Sequence, residues 1–314
     1  MMCAEMGMGI NSAEQLDEQH RHDLQQRDLQ CHDLQWNRDG YAALSGNLLK
    51  CLNLLDERIL QWAEDLNATQ FLFPNFISVQ DLAPTGYCES FPHLATFAHT
   101  PELQSNNLHK FKLSSTSASQ KESTVNESVD WQATKQVLTP AACYHFYPRF
   151  KDQNLDKTTY LTTKCMCHRR EEYYAPLQRQ WNFNMREIVC FSDSAGIENF
   201  LASAKAFIHS FVNELELKVT WQQATDPFFD PCHDTKAISQ LVEPVKQELC
   251  LDNGLAIAST NNHRSFFADC YNITLADKPA KSACVAFGLE RWLFALLQQH
   301  GKDVSVWPLG ASHE

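Results

Sequence analysis

The sequence predicts an α+β fold, a mainly antiparallel sheet flanked by helices. Three features carry that expectation. Short runs rich in apolar and β-branched residues follow one another between residues 164 and 260, an amphipathic helical repeat precedes them, and a long helical run follows Gly288. Strands adjacent in sequence and joined by short turns pair antiparallel, because a parallel pair needs a crossover of a dozen or more residues. With 314 residues, 44% of them hydrophobic, the chain can bury a large core.

Residues 1–42 read as a polar, low-complexity tail, with HDLQ at 22–25, RDLQ at 27–30 and HDLQ at 32–35. A five-residue repeat turns by about 140° around a helix. Leu24, Leu29 and Leu34 therefore line no single face. The folded part is expected over 43–314. Leu44, Leu48, Leu52, Leu55, Ile59 and Trp62 fall at helical intervals. They lead into a short strand, Ala68-Thr-Gln-Phe-Leu-Phe-Pro74, which proline ends because it offers no N–H to a ladder. Residues 104–127, rich in Ser, Asn and Thr, read as a flexible loop. Strands are expected at 164–170, 183–191, 216–223, 245–251 and 255–260, with a helix over 196–217 between the second and third. The last helix opens near Gly288 and runs through LERWLFALLQQHG.

Composition narrows the function classes. The net charge of −12 disfavours a broad phosphate-binding surface, so no tRNA partner is expected. No stretch reaches the roughly 18 consecutive apolar residues of a membrane span, and the first residues lack a signal-peptide pattern. A cytoplasmic location without a membrane partner is expected. The 12 cysteines are irregularly spaced and read as reduced thiols, including Cys165 and Cys167, which a strand sends to one face.

The most informative stretch is His168-Arg-Arg-Glu171 followed by Arg179-Gln-Trp-Asn-Phe183-Asn-Met-Arg-Glu187. Two strands joined by a loop bring Arg169, Glu171, Arg179 and Phe183 together. Arginine forks grip phosphates and a planar ring stacks on a base, which suits a nucleotide. Composition alone leaves a plain, exposed charged hairpin equally open.

These residues resemble motif 2 of the class II aminoacyl-tRNA synthetases, with His168 in place of the usual phenylalanine. Cys284-Val-Ala-Phe-Gly288-Leu-Glu-Arg291 is similar to motif 3, and the helix and strand up to Pro74 are similar to motif 1, the family's dimer interface. Gly86-Tyr-Cys-Glu-Ser-Phe-Pro-His-Leu94, Cys143-Tyr-His-Phe-Tyr-Pro148 and Asn184-Met-Arg-Glu187 most resemble one branch, the seryl-type amino acid:[carrier protein] ligases. The long tRNA-binding arm of seryl-tRNA synthetases has no counterpart in the sequence.

The resemblance implies an ATP-dependent ligase. It would activate a small amino acid, glycine or alanine, and pass it to a phosphopantetheinylated carrier protein as a homodimer. It assigns catalysis to Arg169, Glu171 and Arg291, and ATP binding to these three with Arg179, Phe183, Lys246 and Glu248. Glu248 would also help hold Mg²⁺. Glu187, Ser259 and Asn261 are implied to bind the amino acid. Cys143, Glu187 and Cys284 are implied to hold one Zn²⁺ per subunit, leaving a fourth position for the substrate amine. Spacing alone leaves these as two buried thiols and a solvated carboxylate. Tyr144, Phe146, Trp181 and Met185 are candidates for the walls of the side-chain pocket, and His145 and His263 are further candidates at the site. The other readings are tRNA charging of the seryl type and a non-catalytic paralogue.

Overall fold

A computed structural model describes residues 32–118, 129–242 and 244–309. Its centre is a seven-stranded sheet made of β1 (Thr69–Phe71), β2 (Thr159–His168), β3 (Asn182–Ser192), β4 (Thr220–Ala224), β5 (Lys246–Cys250), β6 (Ala256–Arg264) and β7 (Lys281–Gly288). The spatial order is β4-β5-β6-β7-β3-β2-β1. Every neighbouring pair is antiparallel except β1 with β2, at the edge. The expected fold class and all of the expected strands are found.

Three long helices cover one face: α1 (Gly46–Asp65), α3 (Ser194–Glu214) and α6 (Leu289–His300), with α2 (Ser105–Ala118) lying outside this layer. The stripe Leu48, Leu52, Leu55, Ile59 and Trp62 is buried, as its helical spacing requires. It packs with Ile208 of α3 and Trp292 of α6 against Ile188 and Cys190 of β3 and Val285 and Phe287 of β7. Asp193 starts α3 by accepting a hydrogen bond from Gly196 N at 2.8 Å, an N-cap. Because side chains alternate along a strand, the intervening residues point to the other face, where Val189, Phe191 and Cys284 meet Phe146, Tyr147 and Phe267, the last in the short helix α5 (Phe266–Tyr271).

The structure corrects three expectations. The segment 104–127 is not a loop where it is described, since Ser105–Ala118 form α2. Asn107 anchors it by donating to Glu102 O at 2.9 Å and Asp130 O at 2.8 Å, and Phe111 meets the Trp131 ring edge-on. Those tertiary contacts offset the weak helix preference of its serines. The tail over 1–42 ends sooner than expected. Leu34–Asn37 pair antiparallel with Tyr41–Leu44, and Asp33 accepts from Asn47 N, in the first turn of α1, at 2.8 Å. Of the HDLQ-type repeats, the first two lie outside the described residues. Finally, β7, which sequence reading treated only as the approach to a helix, is a central strand. It is buried on both faces and so shows no polar alternation.

Candidate active site

Opposite the helical layer, the sheet floors a cavity of about 550 Å³. The pleat explains which residues reach it. Lys246 and Glu248 lie on one face of β5, and Ser259 and Asn261 occupy the cross-strand positions of β6, paired Glu248 with Ser259 and Lys246 with Asn261. Asn261 in turn pairs with Cys284 of β7, and Ala286 pairs with Glu187 of β3. A two-residue period thus delivers six expected site residues from four strands to one surface.

Cys143, Glu187 and Cys284 form a cluster whose ligand atoms all lie within 4.8 Å of one another, and all three residues are buried. Cys143 comes from the turn Ala142–His145, where its backbone N–H donates to Glu187 Oε2 at 2.9 Å. Asn261 Nδ2 lies 3.3 Å from Cys284 Sγ. Burial, followed by the charge of Cys284, pushes the Glu187 carboxyl up to about 8. The interaction between the two cysteines raises Cys143 well above the ordinary thiol range and lowers Cys284 well below it. Three acidic groups packed this closely in a dry site fit a divalent cation, which would neutralise the charge that burial disfavours. Two sulfurs and a carboxylate are a zinc-type donor set.

Three arginines converge elsewhere in the same site. Arg169 lies just past the end of β2, where its Nε donates to Pro140 O at 2.9 Å and its guanidinium sits 5.4 Å from the centre of the Phe183 ring. Arg291, in the first turn of α6, is held by Gln178 O at 2.7 Å and Ala256 O at 2.8 Å. Burial, reinforced by repulsion from Arg169 and Arg179, lowers it to about 10. A group of half-buried, mutually repelling guanidiniums is stabilised by an anion, which is the electrostatic signature of a phosphate pocket. Glu171 lines the cavity and pairs with Arg179 at 2.7 Å, while Arg179 sits over Tyr173 just outside the lining.

The cavity also contains residues that sequence reading did not single out. Asp226 accepts from Lys246 Nζ at 3.0 Å and from Gln240 Nε2 at 2.9 Å. Lys236, in α4 (Thr235–Val242), donates to Thr85 O at 2.9 Å. Both residues belong to a segment that crosses over the sheet, and no local pattern marks such a crossing. Of the four wall candidates, Tyr144 and Met185 line the cavity; Phe146 and Trp181 do not. Phe146 is fully buried against Phe71 and Phe73, and Trp181 stacks on Tyr174 and donates from Nε1 to Thr96 Oγ1 at 3.0 Å. His263 lines the cavity, whereas His145 is tied to Thr139 Oγ1 at 2.9 Å and stacked on Phe73.

Comparison with known proteins agrees with this geometry. No protein-family model matches the chain. It is 31% identical over 251 residues to amino acid–[acyl-carrier-protein] ligase 1 of Bradyrhizobium diazoefficiens, covering 75% of this chain and 73% of that protein. Ligase 2 of the same organism is 30% identical, covering 77% and 73%. The type-2 serine–tRNA ligase of Methanothermobacter thermautotrophicus is 23% identical, covering 80% of this chain and 51% of that one. Among solved structures, M. kandleri SerRS in complex with A. aeolicus tRNASec superposes with a TM-score of 0.75 at 18% identity, covering 92% of this chain and 59% of that one. Giardia lamblia prolyl-tRNA synthetase with prolyl-adenylate superposes with a TM-score of 0.64 at 14% identity, covering 84% and 50%. The fold is that of a class II aminoacyl-tRNA synthetase catalytic domain.

Proposed function

The chain belongs to the amino acid–[acyl-carrier-protein] ligase family. On that premise we propose that it activates a small amino acid, glycine or alanine, with ATP and transfers it to the phosphopantetheine thiol of a carrier protein. In the first step a carboxylate oxygen attacks the α-phosphorus and pyrophosphate leaves; in the second the thiolate sulfur attacks the acyl carbon and AMP leaves. The observation that carries this reading is a single cavity that combines the half-buried Arg169 and Arg291 with a buried Cys-Glu-Cys cluster. One suits a polyphosphate, and the other suits a metal that can anchor an amine.

The residues of the chain supply position and charge. Arg169 would hold the α-phosphate, Arg179 and Arg291 the outer phosphates, and Phe183 the adenine face, so that most of the catalysis is alignment and electrostatic stabilisation. Glu171 would fix Arg179 through the ion pair described above. Glu248, paired with Lys246 at 2.9 Å, would hold Mg²⁺ with ATP. Ser259 and Asn261 face the amino acid. Zinc held by Cys143, Glu187 and Cys284, one per subunit, would offer an open coordination position to the α-amine. Since every amino acid carries that amine, selection falls to the walls, and Tyr144 and Met185 favour the smallest side chains.

The proposed enzyme is a homodimer, paired through α1 and the edge strand β1, beside which Leu72 is 91% exposed; its mass in solution tests this directly. A tRNA substrate is disfavoured by the net charge of −12. The proposed location is cytoplasmic. Among the described residues no helix is long and apolar enough to cross a membrane. Amino-acid-dependent pyrophosphate exchange tests the activation step. Glycine and alanine are expected to support it within about 200-fold of each other, because one methylene is worth only about 1–3 kcal/mol. Leucine is expected to give none, and exchange with leucine equal to that with glycine would rule out the proposed walls.

A further inference from the structure

One polar group in the cavity lacks a partner. Tyr87 lines it and is only 5% exposed, and its hydroxyl has no hydrogen-bond partner among the described residues. A buried hydroxyl left in this state destabilises a fold by about 1–3 kcal/mol. Such a cost persists where the missing partner is a ligand. The residue is also held firmly in place. Gly86 before it takes φ 63°, a left-handed conformation, and the backbone N–H of Tyr87 donates to Thr85 Oγ1 at 3.2 Å. Its ring packs on Phe91 at 5.2 Å and edge-on to Tyr144 at 5.4 Å. Rigid placement around an unsatisfied donor is what a preorganised binding group looks like.

Two neighbours identify the ligand atom. Tyr144, whose ring Tyr87 meets, directly follows Cys143, and Tyr87 lines the same cavity as Cys143, Glu187 and Cys284. Arg169 lines the same cavity, and among the charged groups its field acts first on the Tyr87 hydroxyl. Arg169 uses only Nε on the protein, and its two terminal nitrogens have no hydrogen-bond partner among the described residues. An amino acid with its amine at the cluster and its carboxylate toward Arg169 spans this gap. We propose that the Tyr87 hydroxyl is a substrate-contacting donor that, with Arg169, binds the amino acid's carboxyl oxygen, the one that remains as the carbonyl of the adenylate. This inference rests on the ligase reading above. Tyr87 keeps its proton throughout: in step one it orients the carboxylate whose other oxygen attacks phosphorus, and in step two it stabilises the oxyanion formed as sulfur adds and AMP departs. Burial raises the hydroxyl well above the ordinary phenol range, so it stays a donor at any working pH.

Tyr87→Phe removes the hydroxyl and nothing else, so two readouts separate the possible roles. For calorimetric binding of glycyl-sulfamoyl adenosine, a stable adenylate analogue, the variant is expected to lose roughly 10- to 100-fold in affinity. Its ATP affinity should stay unchanged, and its Tm should equal or exceed that of the wild type because the unsatisfied group is gone. Equal analogue affinity in wild type and variant would overturn the proposal, as would a lower Tm with both ligands weakened alike, which marks a structural residue. A selective loss of seryl- but not glycyl-sulfamoyl adenosine would also overturn it, by assigning the hydroxyl to the side chain. A wild-type protein that binds neither ATP nor the analogue would instead remove the ligase reading itself.

Discussion

At the scale of single residues, the site is governed by burial. Cys143, Glu187 and Cys284 are separated by 44 and 97 positions, so spacing carries no signal for them. Only resemblance singles them out, and the fold then gathers them within 4.8 Å. Without a cation, Glu187 and Cys143 favour their protonated forms; a metal bound here would release those protons, which would tie its affinity to pH. Cys143→Ala is expected to purify with its zinc lost and to form no adenylate, whereas Cys190→Ala, which empties a thiol on the opposite face, should keep its zinc. Metal analysis of the two proteins checks this, and a zinc-replete Cys143→Ala would remove the cluster as the metal site. The arginines were more legible, because Arg169, Glu171, Arg179 and Phe183 lie within 15 residues. Tyr87, Asp226 and Lys236 were not, since their roles depend on segments that fold over the sheet from elsewhere in the chain.

At the scale of elements, α1 is locked to the sheet by one buried carboxylate. Asp56 binds Arg186 of β3, with Nη2 to Oδ2 at 3.0 Å, and Lys164 of β2 at 2.9 Å. Arg186 is 2% exposed, so removing its partner strands a buried charge. Asp56→Asn should therefore lower unfolding stability by about 3–5 kcal/mol in urea titrations. The exposed pair Arg58 with Glu214 should matter by less than about 1 kcal/mol. Burial alone would raise Asp56, but the hydrogen bonds and charges of Arg186 and Lys164 outweigh it and hold the carboxyl below its ordinary value. A depressed pKa contributes stability that is fully present above the unfolded value of about 3.9 and lost as pH falls through the folded one. The loss on acidification should be blunted in Asp56→Asn. Long periodic elements such as α1 and α3 could be read from the sequence because 3.6-residue spacing survives in any context. The helix α2 could not, because tertiary anchors at Asn107 and Phe111 hold it, and β7 could not, because burial on both faces erased its alternation.

At the scale of the whole molecule, antiparallel strands β4 to β7 and β3 make one surface on which Arg169, Arg291 and the Cys-Glu-Cys cluster share a cavity of about 550 Å³. The helical layer behind it supplies the core, and the first turn of α6 supplies Arg291. This architecture was legible as a class because strands near in sequence pair antiparallel and the helices are long. The boundary of the tail was not, because the short hairpin beginning at Leu34 is fixed by contacts from elsewhere in the chain, Trp181 N donating to Gly40 O at 2.6 Å and Leu34 and Leu44 packing on the core. What separates the proposed enzyme from tRNA-charging relatives is the acceptor of the aminoacyl group. The most direct test supplies the purified protein with ATP, Mg²⁺, labelled glycine or alanine, and three acceptors in parallel: a carrier protein bearing phosphopantetheine, the same protein without it, and tRNA. Label that appears only on the phosphopantetheine form and is released by hydroxylamine, as a thioester should be, is the expected result; label on tRNA, or equal label on both carrier forms, would contradict the assignment.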